Sequence, residues 1–116
     1  MIIKYVSFPS WFRYSGITLY PFVFIDKMLK GKPDSVLDPI INHESIHIAQ
    51  QKELFVIGFY ILYLLEFIAG TIACGDSRLA YFSISFEQEA YEHQKDLSYL
   101  DKRKPMSWVK YFFETV

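Results

Sequence analysis

Two apolar runs open the chain, and both favour strands. Residues 2–8 (IIKYVSF) and 17–25 (ITLYPFVFI) are rich in β-branched and aromatic side chains, which fit a pleated, half-buried surface. The intervening Tyr14-Ser15-Gly16 predicts a turn that pairs them as a small hairpin. Pro21 stands inside the second run and has no amide proton to give to a ladder, which predicts an edge strand. The polar stretch 27–35 (KMLKGKPDS) reads as a loop. Asp38-Pro39 then predicts a helix start, with Asp as N-cap and Pro at the first helical position, and the helix continues through INHESIHIAQQKEL.

From Leu54 to Cys74 the polar positions almost vanish, and Glu66 is the one charged residue. Gly58 and Gly70 are candidate bends in this segment, and Gly75-Asp76 ends it. Ser85, with Gln88 three positions on, predicts a capping box and a helix through FEQEAYEHQKDLSYLDK. The basic turn 102–105 reads as solvated, and a last short helix follows in PMSWVKYFFE. The pattern predicts an α+β fold dominated by helices, with a small N-terminal β-hairpin or edge strand, as one domain over residues 1–116.

Composition narrows the class. With 52% hydrophobic and 19% aromatic residues, the chain has ample surface to bury and is not of the disordered type. Twelve basic and thirteen acidic residues give a net charge of −1, so no electrostatic footprint for nucleic acid is present. The lone Cys74 cannot close an internal disulfide. Pro9, Trp11 and Arg13 interrupt the first apolar run too early for a signal peptide, so a cytoplasmic or membrane-associated location is expected. A mean hydropathy of +0.13 implies either a very apolar core or contact with lipid.

The chemistry is concentrated in His43-Glu44-Ser45-Ile46-His47, an HExxH motif. Histidines at i and i+4 lie about 40° apart around a helix, so both imidazoles can reach one metal ion. Glu44 is offset by one residue and suits a general base acting on a metal-bound water. A third ligand is required, and Glu66 and Glu87 are the candidates. On one straight helix Glu66 would lie about 28 Å from His47, but a reversal near Gly58 would bring the two level. Glu87 sits in the first turn of its predicted helix, with Ala90 at i+3 small enough for close helix approach. Tyr91 and Gln94 follow on the same face and can hydrogen-bond to the ligands. Gln50 has the same potential. Tyr91, His93 and Tyr81 are candidate donors to an oxyanion, and Glu66 is a buried carboxylate that needs a partner near the metal.

HESIHIAQQ (43–51), Gly-Phe-Tyr (58–60) and FEQEAY (86–91) resemble the gluzincin metallopeptidases, which use HExxH with a downstream Glu, commonly in an E-x-x-A-D setting. The likeness is closest to small, minigluzincin-like bacterial proteins and to membrane-associated antirepressor-type peptidases, and it covers about residues 40–92. It implies a zincin-like domain with Zn2+ on His43, His47 and Glu87, Glu44 as general base, and a peptide or protein substrate. The chain departs from the pattern at Tyr91, where the family often has an Asp that orients a ligand histidine. The alternative is a non-catalytic, zinc-stabilised module that binds a peptide or senses the membrane, with the strand at 17–25 offering an edge for strand addition.

The segment 54–74 is long enough to cross a bilayer. Crossing would put the HExxH helix and the FEQEAY helix on opposite sides, where they could not share an ion. A helix that folds back is therefore expected, and membrane contact through residues 54–74 is the remaining partner expectation.

Overall fold

The computed structural model describes residues 1–12 and 14–115. The first apolar run forms strand β1 (Ile2–Val6). The second run does not form one strand. It divides at the cis peptide Tyr20-Pro21 into β2 (Gly16–Leu19) and β3 (Phe22–Asp26). Pro21 thus occupies the hairpin turn, where its missing donor is not needed. The sheet order is β1-β3-β2, with β3 antiparallel to β2 and parallel to β1. The predicted pairing of the two runs through Tyr14–Gly16 is replaced by this hairpin, and of the second run only β2 is an edge. Val23 and Ile25 alternate inward along β3 and are fully buried beside Ile48 of the first helix.

Helix α1 spans Asp34–Glu53 and begins upstream of the predicted start. Pro33 is its N-cap, and the Pro33 carbonyl accepts from Val36 and Leu37. Pro39 lies in the second turn, where it forgoes a single bond to the carbonyl four residues back. The chain then reverses at residues 54–56, where Phe55 and Val56 have φ of 56° and 64°. The Ile57 amide donates to the Phe55 carbonyl at 2.6 Å across Val56, a γ-turn of the rare positive-φ kind.

Helix α2 (Ile57–Cys74) runs unbroken through Gly58 and Gly70, so neither is a bend. Gly70 marks a close crossing instead. A Cβ there would lie 3.1 Å from the Ala80 Cβ of α3 (Ser77–Ser83). Helix α3 is absent from the sequence expectation; Asp76 caps it, accepting from the Arg78 and Leu79 amides. Gly75, at φ 69°, ends α2 in the left-handed conformation.

The single helix expected from residue 85 to 102 is two, α4 (Ser85–His93) and α5 (Tyr99–Lys102). The Asn42 side-chain amide takes the carbonyls of His93, Gln94 and Asp96 at 2.8–3.1 Å, which holds the end of α4 open. Helix α6 (Val109–Thr115) follows. The capping box is not formed: Gln88 donates to the Ser83 carbonyl, and the start of α4 is capped from α2. The Glu66 carboxylate accepts from the Ser85 amide at 2.9 Å and the Ser85 hydroxyl at 2.8 Å.

Phe59, Ile84, Phe86 and Trp108 form the core between α2, α4 and the start of α6. Ile46, Ala90 and Tyr99 pack where α1 meets α4. The basic turn is not wholly solvated. The Arg103 side chain is 5% exposed, in a fork against Glu53 at 3.0 Å and against Glu89 at 2.6 and 3.1 Å.

Candidate metal centre

Helix α1 presents His43 and His47 on one face, and the first turn of α4 presents Glu87 opposite them. The three side chains are buried. Glu87 Oε1 lies 3.0 Å from His43 Nε2 and 3.1 Å from His47 Nε2, and the two imidazole nitrogens are 3.2 Å apart. Tetrahedral zinc bonds of about 2.0–2.1 Å separate their ligand atoms by about 3.3–3.4 Å, so the triangle has nearly the right size. Two imidazole nitrogens and a carboxylate oxygen form a donor set typical of zinc sites that keep an open position. This cluster can hold a metal ion.

The electrostatics fit a cation at the same point. Burial opposes charge on His47, but the Glu87 carboxylate beside it, aided by Glu44, outweighs that and raises its pKa above the usual imidazole value. For Glu87, burial is likewise outweighed, by His47 and His43, and its carboxyl is held below the ordinary range.

Each ligand is held by a second contact. Gln50 Nε2 donates to the Phe86 carbonyl at 3.1 Å and to Glu89 Oε1 at 2.9 Å, both acceptors. Its Oε1 must therefore face His47 Nδ1, at 2.7 Å, which puts the proton on Nδ1 and leaves the Nε2 lone pair toward the cluster. Glu89 is fully buried and is itself held by Tyr99 and Arg103. His43 Nδ1 meets Gln94 Oε1 at 2.8 Å. Tyr91 does not take that contact; its ring packs edge-on against the His43 ring at 4.4 Å, and its hydroxyl meets the Tyr81 hydroxyl at 3.0 Å. The Tyr63 hydroxyl, from α2, donates to Glu87 Oε2 at 2.6 Å.

Glu44 is buried and borders a cavity of about 280 Å³ together with His47 and Glu87. Its Oε2 accepts from the Thr18 hydroxyl of β2 at 2.5 Å. Its Oε1 faces Gly16, where an added Cβ would come within 3.2 Å of it and 3.0 Å of the Phe24 carbonyl. The absent side chain keeps that oxygen uncrowded. The remaining wall is largely aromatic, from Phe12, Tyr14, Phe59, Tyr60, Phe67 and Tyr81.

Of the residues singled out from sequence, His43, His47, Glu87 and Glu44 come together. Glu66 does not reach the cluster; it caps α4 two residues before Glu87. His93 is turned away, its ring stacked on Tyr99 and its Nε2 3.1 Å from the Tyr111 hydroxyl. Strand addition along β2 is obstructed at Thr18–Tyr20. Gln51 takes the Thr18 carbonyl at 3.0 Å and the Tyr20 amide at 2.7 Å, and the Tyr60 hydroxyl donates to the same Thr18 carbonyl. The sequence reading missed Tyr63 and Thr18. For Tyr63 a signal existed, since a tyrosine hydroxyl inside an apolar segment usually finds a partner when buried.

Comparison with models of protein families, with curated proteins and with solved structures gives no match to this chain.

Proposed function

We propose that the chain is a zinc-dependent, gluzincin-like metallopeptidase that hydrolyses peptide bonds. The observation that carries this reading is the convergence of His43, His47 and Glu87 within 3.0–3.2 Å, with the Glu44 carboxylate on the same cavity wall. Those three side chains would hold zinc, which when bound would supply a Lewis acid that acidifies water and polarises a carbonyl. Glu44 performs the proton work. Thr18 pins its Oε2, which directs Oε1 to take a proton from the attacking water and return it to the departing amine. Gln50 and Gln94 keep both imidazoles turned with Nε2 inward, and Tyr63 does the same for Glu87. Tyr81, at the cavity wall, is the donor nearest in role to an oxyanion partner.

Metal analysis beside a peptide-library assay tests the reading. The wild-type protein should carry one zinc and cleave peptides. Glu44→Gln should keep the zinc and lose cleavage by about 10³-fold or more, and Glu87→Gln should lose the zinc. Wild-type protein without zinc would overturn the proposal. Zinc with no hydrolysis of any peptide would favour a non-catalytic, zinc-stabilised module.

A further inference from the structure

We propose that the outer face of α2 docks on the hydrocarbon of a lipid bilayer, with the helix lying along the membrane surface rather than crossing it. The large side chains Ile57, Ile61, Leu64, Leu65, Ile68 and Ile72 recur at helical spacing on α2, and all six are exposed. No exposed position of this helix carries a charge, an amide or a hydroxyl. Helix α2 is the one described helix long and apolar enough to cross a membrane, and only 6% of its span is buried. The core helix of a water-soluble domain would be mostly buried, and a leader would lie near the N-terminus. Neither applies here.

The chemistry of the face selects its occupant. Protein interfaces mix apolar and polar surface, with a polar rim and regular hydrogen bonds. A strip about 27 Å long with no hydrogen-bonding side chain offers a protein partner nothing polar to pair with, whereas acyl chains need only apolar contact. The polar side chains of α2 are all occupied, three of them by other elements. Glu66 goes to Ser85, Tyr63 to Glu87 and Tyr60 to Thr18, and the Thr71 hydroxyl returns to the Phe67 carbonyl. Those same bonds determine the orientation. They tie the helix to β2 and α4, and a crossing helix would carry α4, with its exposed Glu92, into the hydrocarbon, where charge is strongly disfavoured. Lying flat buries the outer strip and leaves the rest of the domain in water.

Flotation of the full chain with vesicles of phosphatidylcholine alone tests the proposal. Wild-type protein should float with these uncharged vesicles and stay bound in about 0.5 M NaCl, where surface electrostatics are screened. The triple variant Ile61→Gln/Leu65→Gln/Ile68→Gln should partition at least about 100-fold less with an unchanged circular dichroism spectrum. Ile72→Gln, at a side chain 80% exposed, disturbs no packing and should reduce partition about fivefold. Four outcomes would each overturn the proposal: wild-type protein left unbound; variants that float as well as wild type; binding that needs anionic lipid and is lost in salt; or a stable vesicle-free dimer that the triple variant dissociates.

Discussion

The inner and outer faces of α2 belong to the same eighteen residues, yet they treat polarity in opposite ways. The inner face contains the three polar side chains that reach other elements, Tyr60, Tyr63 and Glu66, and each has a partner. The outer face contains only apolar and small side chains and meets solvent. An ordinary surface helix turns its apolar stripe to the core and its charges to water. In α2 the sorting follows hydrogen-bond satisfaction rather than hydropathy: a polar group is kept inside where a partner fixes it, and the aliphatic surplus is left outside. The metal cluster is an extension of the inner rule, since its buried polar side chains are each held by another.

The hardest test of the inner rule lies away from α2, at Arg103. Arg103→Met removes the cation paired with Glu53 and with the fully buried Glu89, and should lower stability by about 3–5 kcal/mol in urea unfolding. The pH sign follows from Glu89. Burial opposes its charge, but hydrogen bonds from Arg103, Gln50 and Tyr99 hold its carboxyl below the usual 4.5. A carboxyl depressed in the folded state contributes stability that is present above that value and lost as pH falls below it. The gap between wild type and Arg103→Met should therefore narrow as pH is lowered from about 5 toward 3.

Two substitutions one residue apart set the faces against each other. Glu66→Leu removes the acceptor for the Ser85 amide and hydroxyl and should lower stability by about 1–3 kcal/mol. Leu65→Gln on the outer face should change it by no more than about 0.5 kcal/mol in vesicle-free buffer. Equal effects would break the comparison. Tyr63→Phe should destabilise by about 1 kcal/mol and, under the proposed function, weaken zinc binding about tenfold in chelator competition. An effect of the opposite sign is expected at the entry to the helix. Val56, β-branched at φ 64°, is strained, and Val56→Gly should raise the urea midpoint by a net gain of about 1 kcal/mol.

The sequence carried the helix bearing HExxH, the helix bearing Glu87, the apolar segment between them and the helix-dominated α+β class, because each is a local pattern. It also showed that the apolar segment must fold back if the two helices are to share an ion. It did not show where. The reversal falls on Phe55 and Val56, residues with no turn propensity, while Gly58 stays helical. Pro21 and Pro39 misplaced boundaries for a related reason. A proline restricts the backbone, but tertiary packing decides whether it ends an element or sits in a hairpin turn or an early helical turn. The break after His93 was hidden because Asn42, 51 residues earlier in sequence, holds it. Arg103 looked like one more loop cation because its partners, Glu53 and Glu89, come from two different helices. Long-range pairing of polar groups, rather than the placement of apolar ones, is what local pattern could not supply.

The contacts from α2 to α4 make one helix a lever. Tyr63 and Glu66 lie a turn apart on α2 and grip Glu87 and Ser85, two residues apart on α4, so a displacement of α2 is also a displacement of the carboxylate in the candidate metal cluster. Thermodynamic linkage makes the traffic reciprocal. By whatever factor occupation of the outer face changes affinity for the ion, the ion changes affinity for that occupant equally.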